Sequence, residues 1–299
     1  MEVPATGPVK LRTNLADYPV TKAIREGRVS SPVLDFDFCG PKTAHNGFKD
    51  MLRRNAYDAG ELAIVTYLQA RVYGKPFVLL PVAIHGRFQH HCIGYNIEYG
   101  ALSPKDIEGR KVGVRTYAQT TGLWVRGILQ HEYGVDLDKV NWLTVDESHL
   151  SEYRDPFNCR MLPPDSRIDQ MMLDGELAAA ILGLDMPKDP RVRTLIPDPH
   201  AAAQEWYRRE GVIPINHLFV VHESLSKQRP DVVREIYRLL RDSRSLAPTQ
   251  AVAALPPLGL EANRKGLAMA IEWAYEQKII PRRLSVEDLF DDTTGSLDG

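Results

Sequence analysis

Short apolar runs alternate along the chain with stretches whose apolar positions recur every three to four residues. This alternation of strand-length and helix-period segments predicts α/β layering with mainly parallel strands. Residues 10–14 read as a strand, Val20, Ala23 and Ile24 give a helical face closed by Gly27, and Leu34, Phe36 and Phe38 alternate as a second strand. Phe48, Met51 and Leu52 mark another helix. Residues 61–66 and 77–84 supply two buried strands joined by a short helix over 67–72, and residues 91–96 read as one more strand.

The polar, turn-rich stretch EYGALSPKDIEG interrupts this pattern, which then restarts. Residues 111–114 form a strand, 120–133 a helix stopped by Gly134, and 140–145 a strand. Ser166 stands as an N-cap with Asp169 at the capping-box position and Gly175 just past the helix end, before the buried run LAAAIL. Residues 212–221 are strand-like, residues 230–246 and 260–278 carry helical periodicity with charged outer faces, and residues 291–299 read as a frayed tail. Residues 1–98 therefore build the first part of one lobe, 99–211 a second lobe, and 212–299 return to the first with C-terminal helices. Two crossings predict a hinge and a central ligand cleft.

With 299 residues, 43% hydrophobic and 25% charged, the chain has material for a large core or two lobes. Its 37 basic and 39 acidic residues leave a formal charge of -2, so no broad positive field is available for nucleic acid, which is excluded as a partner. No run reaches the roughly 18 apolar residues of a membrane span. Three cysteines without CxxC spacing, and no visible export signal at the start, give cytoplasmic localisation as the expectation. Among nine histidines none forms HExxH, and no phosphate loop, GxGxxG fingerprint or GxSxG elbow occurs, so neither a metal nor another cofactor is expected. A metal assembled from distant segments by His90, His91 and Glu61 stays open as an alternative. Helix 230–246 offers a face for a homo-oligomer, although a charged periodic face reads first as solvated.

The chemistry concentrates in residues 109–130, GRKVGVRTYAQTTGLWVRGILQ, where an apolar strand runs into a polar turn and a helix start. Unpaired N–H groups there carry partial positive charge, and Thr120, Thr121, Arg115 and Arg126 offer further donors around one anion, with Tyr117 in the same turn. The competing reading of the same residues is a threonine-capped helix with two solvated arginines. Arg87, His90 and His91 begin the crossing strand, where neighbours point to opposite faces, so His90 and His91 cannot both face a cleft. Glu61 lies at the mouth of a buried strand, where apolar walls disfavour its ionised form and suit it to donate a proton; the competing reading is a strand-edge glutamate paired with a lysine or arginine. His217 lies on the strand that returns from the second lobe, and Asp185 follows the run LAAAILG.

Taken together, these segments resemble the 4,5-dihydroxyphthalate decarboxylase family. The resemblance is carried by EGRKVGVRTYAQTTGLWVRGILQHEYGV, by GRFQHHCIGY, by RVRTLIPDPHAAAQEWYRREGVIPINHLFVV, and more loosely by DYPVTKAIREGRV and DAGELAIVTYLQA. It implies a two-lobed periplasmic-binding-protein-like (type 2) α/β fold with a central ligand cleft, and a cofactor-independent carboxy-lyase acting on a hydroxylated aromatic carboxylate. In that reading Arg115, Thr120 and Thr121 hold the retained carboxylate and Arg87 is a second clamp candidate, while Tyr117, Arg126 and Asp185 are further substrate-binding candidates, Asp185 either orienting a hydroxyl or capping a turn. His90 or His217 draws the phenolic proton, and Glu61 donates to carbon. The chain departs from the family pattern at His91 and Cys92, which stand where small polar residues are expected. The alternative function is a non-catalytic solute-binding protein for an aromatic acid or another small anion.

Overall fold

The computed structural model describes residues 7–297. In chain order the strands are β1 Val9–Asn14, β2 Leu34–Asp37, β3 Ala59–Ala63, β4 Phe77–Gly86, β5 Ile93–Asn96, β6 Lys111–Val114, β7 Asn141–Thr144, β8 Cys159–Met161, β9 Ala179–Ile181, β10 Val192–Thr194 and β11 Ile215–His222. They form two sheets, one per compact unit. Unit 1 contains the described residues up to Arg87 together with Ile215–Ala268 and Leu284 onward, and unit 2 contains Phe88–Pro214 and Met269–Arg283. The boundary therefore falls at Arg87, eleven residues before the expected one, because β5 pairs with β9 and β10 and not with the strands before it. Residues 269–283, expected with the first lobe, also belong to unit 2. There the Trp273 ring packs edge-on against Trp124 at 5.3 Å.

The sheet of unit 1 has the order β2-β1-β3-β11-β4. β1 is parallel to β2 and β3, whereas β11 enters antiparallel between β3 and β4. β1 and β3 approach so closely that a Cβ on Gly60 would stand 2.3 Å from the Asn14 carbonyl oxygen, and Gly60 takes φ +154. Only glycine fits that position without strain. Helix Pro230–Ser245 has proline at its start and buries Val232, Val233, Ile236, Leu239 and Leu240, which join Leu11, Ile24, Leu80 and Phe219 in one core. Its outer face is laced by Arg238, which grips Glu235 and Asp242 one turn either way.

Unit 2 has the sheet order β10-β5-β9-β6-β7-β8, parallel from β9 to β8 and antiparallel at β5 and β10. Antiparallel neighbours are thus nearly as frequent as parallel ones, because β11 and β5 each run back along a parallel set. Helix Thr120–Tyr133 begins and ends at the expected residues, with Gly134 in the left-handed region at φ 63.

Several local expectations fail for identifiable reasons. The strand expected over 61–66 stops at Ala63, and Thr66 and Tyr67 belong to helix Ile64–Val72, which is buried on nearly every side and shows no helical period. His90 and His91 precede β5 in a turn, so strand alternation does not decide their directions. Ser166 is not a cap. Arg167 takes the N-cap position of helix Ile168–Leu173 and grips Asp169 at 2.7 Å, which removes the capping-box partner. The tail is ordered as far as it is described: the Asp291 carboxylate accepts the Thr293 and Thr294 N–H groups, and Leu297 joins the core of unit 1. Residues 298 and 299 of that expectation lie outside the described residues. Helix Pro199–Glu210 and the three-residue strands β8 and β10 were not expected.

Candidate functional site

Both sheets contain a point where the chain leaves one strand toward one side and later returns on the other. In unit 1 it runs from β1 to β2 on one flank and re-enters at β3 on the other, and in unit 2 it runs from β6 to β7 and re-enters at β9. The carboxyl ends flanking such a switch diverge and leave room for ligand-binding groups. The candidate residues fall at these two places.

At the switch of unit 1, Glu61 is buried with no exposed surface. Its Oε1 accepts the Ala16 N–H at 2.9 Å, its Oε2 lies 3.0 Å from His217 Nδ1, and the Tyr18 hydroxyl bonds it as well. Burial, followed by the Glu61 charge, raises the Tyr18 hydroxyl far above its ordinary range, so it stays protonated and donates. The turn that presents Ala16 and Tyr18 is braced by Thr21, whose hydroxyl donates to the Ala16 carbonyl at 2.8 Å and accepts the Tyr18 N–H at 2.9 Å. Arg25 closes it with a bond to the Leu15 carbonyl at 2.6 Å.

His217 and Glu61 come from antiparallel neighbours, with His217 opposite Ala63 on one side and His85 on the other. The His217 ring is walled edge-on by Phe48 at 5.4 Å and His85 at 5.8 Å, while the His85 ring stacks on Tyr18 at 5.9 Å. Burial, then the charges of His217 and Arg87, pushes the His85 imidazole down to about 4, so it is neutral near pH 7. With Glu61 as a carboxylate, His217 Nδ1 must carry the hydrogen, which leaves Nε2 as the nitrogen able to take or give a proton. Glu61 lies inside β3, away from the expected strand mouth, and the Ala16 N–H, the Tyr18 hydroxyl and His217 Nδ1 all engage its carboxyl group. Tyr18, Phe48 and His85 escaped sequence reading. Each is silent alone, and only the pairing of β11 with β3 and β4 assembles them.

At the switch of unit 2, helix Thr120–Tyr133 starts directly after the turn that follows β6. Gln119 holds the N-cap position in extended backbone without any side-chain cap, so Thr120 and Thr121 are not capping residues. Both are buried, and Thr120 Oγ1 has no hydrogen-bond partner. Leu123 N–H is bonded to the Gln119 carbonyl at 2.9 Å, and helix geometry leaves the N–H groups of Thr120, Thr121 and Gly122 without intrahelical acceptors. Arg126, expected among the substrate-binding groups, is wholly buried. Its Nε donates to Gln277 Oε1 at 2.9 Å and one terminal nitrogen to the Tyr117 carbonyl at 2.7 Å, and its guanidinium lies 3.9 Å from the centre of the Tyr117 ring. Tyr117 is correspondingly a buried platform. Arg115 is exposed, and Asp185 is exposed in a 3-10 turn after β9.

His90 belongs to unit 2 and sits beside the same strand ends, since the Leu182 and Gly183 N–H groups donate to the Cys92 carbonyl. It is buried edge-on against Trp206 at 6.0 Å, and its Nδ1 has no hydrogen-bond partner. Burial, then the charges of His91 and Arg209, pushes it down to about 4. Cys92, one of the departures from the family pattern, is buried with its thiol on Gln89 Oε1 at 3.3 Å. Arg87 is half-buried at the end of unit 1, where its charge is felt by His85. Among the described residues, no group of three or more His, Cys, Asp or Glu side chains is placed to hold a metal, and no helix is long and apolar enough to cross a membrane.

No family model matches the chain. A 4,5-dihydroxyphthalate decarboxylase of Comamonas testosteroni is 28% identical over 213 residues, covering 65% of this chain and 62% of that protein. A second, from Pseudomonas putida, is 28% identical over 169 residues, covering 52% of this chain and 65% of its own. The matches thus span a little under two thirds of these relatives. Among solved structures, the periplasmic aliphatic sulphonate binding protein SsuA from Escherichia coli superimposes with a TM-score of 0.58, at 13% identity, over 95% of this chain and 92% of that one. The fold is the two-sheet, two-lobed periplasmic-binding-protein type 2 fold.

Proposed function

We propose, from the premise that this chain is a distant homologue of the 4,5-dihydroxyphthalate decarboxylases, that it is a carboxy-lyase acting on a hydroxylated aromatic carboxylate. The observation that carries this reading is the Glu61–His217 pair, with Nδ1 committed to the carboxylate and Nε2 open.

In the proposed reaction a ring hydroxyl para to the departing carboxylate pushes electron density onto the carboxylate-bearing carbon. His217, as an imidazolium stabilised by Glu61, delivers the Nε2 proton to that carbon. The carbon–carbon bond then breaks, its electron pair stays on the ring, and carbon dioxide leaves. Each turnover consumes one proton, which solvent restores to His217. In unit 2, the Thr120 hydroxyl and the N–H groups at the helix start are donors suited to a carboxylate. For 4,5-dihydroxyphthalate the product is 3,4-dihydroxybenzoate.

The test is to incubate the purified chain with 4,5-dihydroxyphthalate and related hydroxylated benzene carboxylates, following carbon dioxide and the ring product by chromatography. The expected outcome is one carbon dioxide per ring product formed, lost in His217→Ala. Binding of these acids without any release of carbon dioxide favours the second reading, a solute-binding protein. That reading draws on the fold held in common with SsuA.

A further inference from the structure

Arg126 is a fully buried cation, and among the described residues no carboxylate oxygen lies within 4.0 Å of it. Its partners are all neutral: Gln277, the Tyr117 carbonyl and the faces of Tyr117 and Trp142. Asp155 senses the Arg126 charge, yet burial outweighs it and holds the Asp155 carboxyl above its ordinary value. A guanidinium does not shed its proton, and a buried charge without a counter-charge is strongly unfavourable. The second terminal nitrogen, NH1, has no hydrogen-bond partner at all.

NH1 sets the uncompensated charge against the start of the helix. A Cβ built on Gly122, the third residue of helix Thr120–Tyr133, would stand 2.9 Å from it. The guanidinium therefore lies alongside the first helical turn, with its other end on the turn that precedes it. The same turn carries the unpartnered Thr120 hydroxyl and N–H groups that have no acceptor inside the helix. Arg126 NH1, the Thr120 hydroxyl and the N–H groups of the first turn are thus gathered at one helix start.

We propose that the first turn of this helix is a built anion site and that Arg126 is its resident counter-charge, a positioning residue that does not itself touch the ligand. The Thr120 hydroxyl and the N–H groups hold the anion, while Arg126 keeps the turn in place through the Tyr117 carbonyl and sets the potential from below. Glycine at 122 is what lets NH1 approach the helix. This inference rests on the decarboxylase reading only for the identity of the anion as an aromatic carboxylate.

The experiment measures the Kd of phthalate, a dicarboxylate without ring hydroxyls, by tryptophan fluorescence, together with melting temperatures with and without it. Arg126→Lys keeps the charge and is expected to hold the Kd within about threefold, whereas Arg126→Gln is expected to weaken it at least about tenfold. The unliganded melting temperature of Arg126→Gln is expected to stay level or rise, because an unanswered buried charge has been removed. A merely structural arginine gives the opposite pattern, a lower unliganded melting temperature with an unchanged Kd, and that result overturns the proposal. So does a lysine variant as impaired as the glutamine one. If Arg126→Gln fails to fold, Gly122→Ala takes its place: it keeps the charge and displaces NH1, and unchanged phthalate binding in it overturns the proposal. Inorganic sulfate bound with the same Arg126 dependence, in a wild type that ignores phthalate, supports the counter-charge and removes the aromatic carboxylate. Phthalate bound equally by wild type and Arg126→Gln does the reverse.

Discussion

The two units place similar strand arrangements around their switch points and fill them with opposite chemistry. Unit 1 gathers titratable side chains that answer one another, a carboxylate held by a tyrosine, a histidine and a backbone N–H. Unit 2 gathers donors that answer nothing in their own unit: a threonine hydroxyl, a helix start and a buried guanidinium nitrogen. A closed network moves a proton without leaving a charge stranded, whereas an open one is completed only by a ligand. The comparison separates a self-satisfied titratable cluster from a set of donors suited to an anion.

The sharpest way to break that division is His217→Ala, expected to lower kcat about a thousandfold with KM nearly unchanged. A change confined to KM would move the proton chemistry out of unit 1. Next in size is Gly60→Ala, whose Cβ would meet the Asn14 carbonyl oxygen at 2.3 Å. Forcing β1 and β3 apart should cost about 2 to 4 kcal/mol in urea unfolding. Glu61→Gln keeps the size of the side chain and loses its charge, so kcat should fall about ten- to a hundredfold while KM stays level. Thr120→Val removes one donor from unit 2 and should raise the Kd for phthalate about tenfold with kcat little changed.

The smallest effect is shared by both units. His85 and His90 are each pushed down to about 4 from an ordinary 6.5, so the unfolded chain takes up protons first as pH falls. Their contribution to stability is present in full above pH 6.5 and drains away between there and pH 4. Urea midpoints across that window should decline with acid, and His85→Gln or His90→Gln should each make the decline shallower. A single substitution that abolishes the whole decline would show that only one unit senses acid.

How much of this was legible in the sequence depends on how local the signal is. Helix Thr120–Tyr133 was readable to the residue, since a four-residue apolar strand, a polar turn and a terminal glycine all lie within one stretch. Helix Pro199–Glu210 was missed although it had signals, Asp198 capping Ala201 N–H, proline at the start and Gly211 past the end. The strand-to-helix change at Ala63 left no trace, because burial on every side removes the period that separates the two. Glu61 and His217 could each be named as candidates, but their pairing spans 156 positions and depends on β11 entering antiparallel. For Arg126 the sequence allowed a solvated or a ligand-gripping arginine, and the side chain is neither exposed nor paired with a carboxylate.

Strand β11 carries a consequence for how the protein is made. It is the sole neighbour joining β3 to β4 in the sheet order, and it leaves the ribosome only after the strands of unit 2 have all been synthesised. Until then β3 and β4 each present a bare row of N–H and C=O groups, inviting mispairing with other chains. The same late strand brings His217, so a nascent chain cannot form the Glu61–His217 pair before the exposed edges are sealed. The buried pair and the protection of both edges arrive together in a single insertion.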